Sequence, residues 1–163
     1  MVLEGKRISL RKFTKEDTYE YLRATDDFAI KRYVPFAHPN NLDESEELIK
    51  TYSTVDFKND FYFLIVDNQS QKMLGSLLCF KSSSNTLNVS YLIFPNFRGK
   101  GFCLEALFIF INYISKNTNY KLLEFSVRSG NKASKKVMKK LRAKKVGQKD
   151  TLFFYKYHIK SAK

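Results

Sequence analysis

Cysteine is scarce, long apolar runs are missing, and carboxylates nearly vanish from the second half of the 163-residue chain. The two cysteines, Cys79 and Cys103, lack metal-ligand spacing and read as free thiols of a reducing compartment. No apolar run exceeds that of Ala106 to Ile111, which falls far short of the roughly 18 residues that suggest a membrane span. Glu4 brings a charge at once and no apolar stretch follows, which argues against a secretory leader. A cytoplasmic protein with no membrane partner is the expectation. No repeat, low-complexity tract or linker interrupts the sequence, so residues 1–163 are expected to form a single domain. A hydrophobic share of 44% with 28% charged residues is that of a folded chain rather than a disordered one.

What is present is lopsided. Residues 1–70 carry 10 basic and 13 acidic side chains, whereas residues 71–163 carry 19 basic and 3 acidic ones. Such asymmetry suggests two kinds of partner. The basic half suits a polyanion such as RNA or a compact phosphorylated ligand; solubility alone is the plain alternative.

Hydrophobic periodicity gives a mixed α/β order. Arg7–Arg11 alternates as a strand, and Thr14 with Asp17 marks a helix start before Tyr19, Leu22 and Arg23. Asp26 to Asn41, with Pro35 and Pro39, predicts irregular or broken helix, and Asp43 to about Val55 a further helix. Phe61–Val66, Leu74–Phe80 and Leu87–Phe94 predict an antiparallel meander joined by short polar turns. Gly101–Lys116 is apolar nearly all round, the mark of a buried helix. Strand Leu122–Val127, an amphipathic helix from Asn131 to about Leu141, and strand-like segments at Val146 and Leu152–Ile159 complete the chain.

One segment carries chemistry. Ser90–Phe94 ends in Pro95, and the loop Asn96-Phe97-Arg98-Gly99-Lys100-Gly101 leads into the buried helix. Gly99 and Gly101 allow backbone N–H groups to approach a ligand, and the helix start adds partial positive charge. Arg98 and Lys100 add formal charge, which makes a pyrophosphate the natural guest. The spacing is neither a dinucleotide fingerprint, because Leu104 stands where a third glycine belongs, nor a Walker loop.

Arg98-x-x-Gly101-x-Cys103 resembles the Arg/Gln-x-x-Gly-x-Gly/Ala signature of the GNAT acetyltransferase superfamily. Pro95-x-x-Arg98-Gly99-Lys100-Gly101-Phe102 with Glu105-Ala106 is similar to its branch acting on ribosomal-protein N-terminal amines. Asn131-x-x-Ser134-x-x-Val137 resembles the superfamily's later helix, and the opening from Leu3 to Arg11 resembles that branch's start. The resemblance implies a central, mostly antiparallel sheet of about six to seven strands flanked by helices. It also implies acetyl-CoA as acetyl donor, with no metal. Backbone groups of Tyr91, Leu92 and Ile93 would pair with pantetheine. N–H groups of Arg98, Gly99, Lys100, Gly101, Phe102, Cys103 and Leu104 would hold the pyrophosphate. Asn131 and Ser134 would lie beside the pantetheine arm. Met138 stands where many members carry a tyrosine acid, and Arg142-Ala143 replaces the usual glycine stop.

Direct attack of an amine on the thioester needs a base and an acid. Ser134 is the candidate acid; Glu105 and Asp150 are candidates for the base, each also explained as a local structural residue. The acidic cluster from Asp26 to Glu47 suits attraction of a cationic amine or a solvated helix face. The expected acceptor is a protein N-terminal amine. A polyamine or small amine is the rival acceptor, and a catalytically inactive ribosome- or RNA-binding relative is the rival of another class. Ribosome contact and either a monomer or a homodimer are compatible with the sequence.

Overall fold

The computed structural model describes residues 1–161. Its strands are β1 (Val2–Glu4), β2 (Ile8–Arg11), β3 (Phe61–Asp67), β4 (Met73–Ser83), β5 (Thr86–Ile93), β6 (Leu122–Arg128), β7 (Lys144–Lys149) and β8 (Leu152–His158). Its helices are α1 (Thr18–Ala24), α2 (Phe28–Tyr33), α3 (Leu42–Ser53), α4 (Phe102–Asn117) and α5 (Lys132–Leu141).

The strands form one sheet in the order β1-β2-β3-β4-β5-β6-β8-β7. Period-two alternation then builds a layer on each face. Phe61, Phe63 and Ile65 of β3 pack with Phe110 and Ile114 of α4, and Met138 and Leu141 of α5 join that layer. Leu64 and Val66 point the other way, toward Tyr21 of α1, Ile30 of α2, and Ile49 and Tyr52 of α3. Large side chains with no exposed surface, such as Phe63 and Phe110, each contribute roughly 1.5–3 kcal/mol by leaving water.

Local chemistry accounts for the helix ends. The Thr14 N–H donates to Asp17 Oδ2 at 2.7 Å, and Arg11 grips the same carboxylate at 2.9 and 2.8 Å. Asn41 caps α3 by accepting from the Glu44 N–H at 2.9 Å, with Asp43 and Glu44 favourably placed in the first turn. The broken stretch after Asp26 resolves into α2, capped by Asp27, and a single-turn helix at Pro35–Ala37.

The structure adds to two expectations. The sheet has eight strands rather than six or seven, because Val2–Glu4 hairpins back onto Ile8–Arg11. Three residues are too short to show a period. The helix without the usual glycine stop still ends left-handed: Arg142 itself adopts that conformation (φ 62°). Its N–H reaches the Lys139 carbonyl and the Ala143 N–H reaches that of Met138, the two bonds of a Schellman end.

Candidate active site

β5 and β6 are parallel neighbours that pair at Thr86–Leu122, Leu87–Leu123 and Asn88–Glu124, then separate. Beyond Asn88, β5 stays bonded to β4 but presents its other edge to a cleft of about 270 Å³. Tyr91 and Ser90 line this cleft from β5, Glu124 to Arg128 from β6, and Asn131 and Ser134 from the start of α5. Tyr33, Val34 and Phe36 close it on the α2 side.

The strand pleat makes the cleft two-sided. Phe125 and Val127 pack into the layer of α4 and α5, as does Tyr91. By alternation Glu124, Ser126 and Arg128 face the layer of α1–α3. One reactant can therefore enter from each face of the sheet.

On the α5 side, the Tyr91 and Ser134 hydroxyls lie 2.5 Å apart. The Asn131 side chain caps α5 by accepting from the Ser134 N–H at 3.1 Å, which fixes that hydroxyl's backbone. Burial pushes the Tyr91 phenol well above its ordinary pKa, so it keeps its proton at neutral pH. Met138 has no exposed surface and lies in the core, away from proton transfer.

Leu92 and Ile93 hold their open edge through a close approach behind them. A Cβ on Gly75 would stand 2.1 Å from the Leu92 carbonyl oxygen, so only glycine lets β4 lie so near.

The loop after β5 has the form expected of an anion cradle. Gly99 and Gly101 take φ of 75° and 81°, and Gly101 caps α4. Orphan N–H groups of Phe102, Cys103 and Leu104 open that helix. A Cβ at Gly99 would meet nothing within 4 Å, and one at Gly101 only Arg7 Nη2 at 3.5 Å, so the space before the turn is open to a ligand. Left-handed glycines, open space beside them and a long helix start fit a pyrophosphate.

The charges around the loop are arranged differently from expectation. Arg98 turns away from the cradle: its Nη2 donates to Asp27 Oδ2 at 2.6 Å and its Nε to the Ile93 carbonyl at 3.0 Å. Burial alone would raise the Asp27 pKa, but the bonds from Arg98 and the Ile30 N–H outweigh it and hold the carboxyl below its usual value. Together with Tyr33 Oη donating to the Gly130 carbonyl at 3.1 Å, this pair fastens α2 across the cleft. Lys100 remains exposed beside the turn.

Arg7, read in the sequence as a strand residue within the opening motif and given no role in the site, braces the cradle. Its Nη1 donates to the Lys100 carbonyl at 2.9 Å, its Nε to Glu105 Oε2 at 2.7 Å, and its backbone N–H to Glu105 Oε1 at 3.0 Å. Its guanidinium also lies 4.7 Å from the centre of the Phe102 ring. Both Glu105 oxygens are thus engaged, and the residue serves as an anchor for the loop. Asp150 sits exposed in the β7–β8 turn at φ 53°, with its carbonyl bonded to Gln148, and does not line the cleft. The carboxylate that does line it is Glu124, 3.4 Å from Lys156 on β8. A solvated ion pair within a strand gave no local signal in the sequence.

A model of the acetyltransferase (GNAT) domain matches residues 7–144. The chain belongs to the GNAT acetyltransferase family. Solved GNAT structures share its fold at low sequence identity. An acetyltransferase from Bacillus anthracis is 16% identical with a TM-score of 0.85, over 97% of this chain and 98% of that one. A ribosomal-protein-S5-alanine acetyltransferase from Vibrio fischeri is 16% identical with a TM-score of 0.80, over 98% and 97%. A ribosomal α-N-protein acetyltransferase solved with coenzyme A is 12% identical with a TM-score of 0.87, over 98% of both chains. No curated protein sequence matches the chain. As a GNAT enzyme it is an acetyl-CoA-dependent acetyltransferase. No helix among the described residues is long and apolar enough to cross a membrane.

Proposed function

We propose that this GNAT enzyme acetylates a protein N-terminal amine of the ribosomal-protein type, by direct attack on acetyl-CoA with both substrates bound. The observation that carries the acceptor is the cleft's lining. Of the fifteen residues around it one is a carboxylate, Glu124, set among Tyr33, Phe36 and Phe80. A polyamine, with several ammonium groups, needs several anions. The acidic residues Asp43, Glu44 and Glu47 of α3 line a separate, shallow depression instead. A peptide α-amine has a pKa of about 7.7–8.0 and needs only one base.

In this reading the loop from Arg98 to Leu104 holds the pyrophosphate, and the open edge of Tyr91, Leu92 and Ile93 pairs with pantetheine. Glu124, from the α1–α3 face, takes the amine proton directly or through one water. The nitrogen then bonds to the thioester carbonyl carbon, aided by a β5 N–H near the developing oxyanion. As the C–S bond breaks, Ser134 gives its proton to the departing thiolate from the α5 face while the Tyr91 hydroxyl hydrogen-bonds to the serine oxygen, and water reprotonates Ser134 as the products leave. No cysteine lines the cleft, and Cys79 and Cys103 are both driven toward the neutral thiol by burial, which favours direct transfer over a covalent acetyl-enzyme.

The test is acetylation of peptides with free alanine, serine or methionine N-termini beside spermidine, read by mass spectrometry. Peptide turnover is expected, with Glu124→Gln lowering kcat by about 10²–10⁴-fold while acetyl-CoA still binds. Acetylation of spermidine with the peptides untouched overturns the acceptor. An unaltered kcat in Glu124→Gln overturns the base.

A further inference from the structure

From Lys132 to Lys149 the chain carries nine basic residues and no carboxylate. Lys132, Lys136, Lys139 and Lys140 project from α5 as exposed side chains, and Lys144, Lys145 and Lys149 from the edge strand β7. Among the described residues none of the nine enters an ion pair within 4.0 Å. The two rows meet. Lys135 of α5 and Lys145 of β7 both stand over the Phe153 ring of β8, at 4.7 and 3.6 Å from its centre.

This arrangement is unfavourable in the isolated molecule. Lys132 and Lys136, Lys135 and Lys139, and Lys136 and Lys140 are like charges one helical turn apart, which repel. A face selected only for solubility mixes signs and avoids that repulsion. The electrostatic strain is relieved when a dense row of negative charges replaces diffuse counterions.

We propose that the lysine face of α5 and the edge strand β7 form a docking surface for the phosphate backbone of structured RNA. The mode is sequence-independent, since the Phe153 ring is covered by two ammonium groups and is not free to stack on a base. A membrane surface fits poorly. The apolar stripe of α5, with Met138 and Leu141, is buried in the core, and the large apolar side chain exposed on β7 is Val146 alone. The choice of RNA among polyanions rests on the ribosomal-type acceptor proposed above; the anionic character of the partner does not. Because Asn131 and Ser134 at the start of α5 also line the cleft, RNA docking would hold an acceptor-bearing particle beside the reacting groups.

Fluorescence anisotropy with a labelled RNA hairpin, a DNA duplex of equal length and phosphatidylserine vesicles tests the surface. RNA affinity is expected to fall roughly a hundredfold or more between about 50 and 200 mM salt. The triple variant Lys136→Gln, Lys139→Gln, Lys140→Gln should lose at least tenfold in RNA affinity with a shallower salt slope. It should keep acetyl-CoA affinity and melt no lower than the wild type at low salt. The control Lys15→Gln, Lys50→Gln, Lys58→Gln should bind RNA as the wild type does. Equal RNA binding by both triple variants, or absent RNA binding by the wild type, overturns the proposal. So does preference for DNA or vesicles. Loss of acetyl-CoA affinity without RNA binding assigns the lysines to the donor's phosphates and overturns it too. RNA binding without peptide acetylation would sink the proposed acceptor and leave the surface standing.

Discussion

The hydroxyl oxygens of Tyr91 and Ser134 lie 2.5 Å apart although 43 residues separate them in the chain. One is on the open edge of β5 and the other on the first turn of α5, so the contact bridges the donor side of the cleft. With Met138 buried, the proposed mechanism draws its proton on that side from this pair. Ser134→Ala should lower kcat by about 10²-fold with acetyl-CoA affinity little changed. Tyr91→Phe keeps the ring packed against Phe125 and should lose roughly tenfold, the worth of one hydrogen bond. Steady-state kinetics with separately measured acetyl-CoA affinity checks both. A fall in affinity with kcat preserved would show that the pair only shapes the pocket.

Arg7 joins the first hairpin to the cradle, and replacing it should act on the donor more than on the fold. Arg7→Gln frees the Lys100 carbonyl and leaves Glu105 without its cation. Acetyl-CoA affinity should drop about tenfold, near 1.4 kcal/mol. Arg7→Lys should not restore it, because one ammonium cannot hold Glu105 and Lys100 with a planar fork. Calorimetric titration of both variants checks this; full affinity in either removes the brace from the donor site.

The Asp27–Arg98 pair gives a defined acid response. Asp27 has a depressed folded pKa, so its contribution is fully present above the unfolded value of about 3.9 and is lost as pH falls through the lower folded value. Thermal midpoints of wild type and Asp27→Asn should differ by a constant amount above pH about 5 and converge below about 4. A gap that persists at the acid end would mean that the charge of Asp27 does not fasten α2.

Arg142 holds a left-handed conformation that costs a side-chain-bearing residue about 1–2 kcal/mol. Arg142→Gly removes that cost at the price of a freer unfolded chain, for a net gain of about 0.5–1 kcal/mol. The thermal midpoint should rise by about 2–4 °C or slightly less, with acetyl-CoA affinity unaltered. A lower midpoint would show that the arginine side chain contributes more than its backbone costs.

Features with a local cause were legible in the sequence. The Thr14–Asp17 start, the three-strand meander, the all-round apolar α4 and the glycine turn at Gly99–Gly101 each follow from residues within one or two turns of one another. The features that escaped depend on distant partners. Arg7 and Glu105 are 98 residues apart, and nothing near either residue announces the other. Glu124 becomes a cleft residue only because β6 leaves β5 just beyond it. The ion pair of Arg98 has no local sign for the same reason, since its partner Asp27 lies in the other half of the chain.

Three residue pairs are all that stitch β5 to β6. Along this seam five strands on one side meet three on the other, and past Asn88 nothing in the ladder resists their parting. A donor bound along this edge, as proposed above, would act as a splint, completing an edge on which Arg98 holds the Ile93 carbonyl. Loaded enzyme should therefore behave mechanically as one body, with the Val89–Ile93 amides slow to exchange and a melting temperature that climbs with donor concentration. Without the splint, the two blocks of sheet are held past that seam only by side chains: the Tyr91–Ser134 contact, the Tyr33 bond to Gly130 and the core they share under α4 and α5.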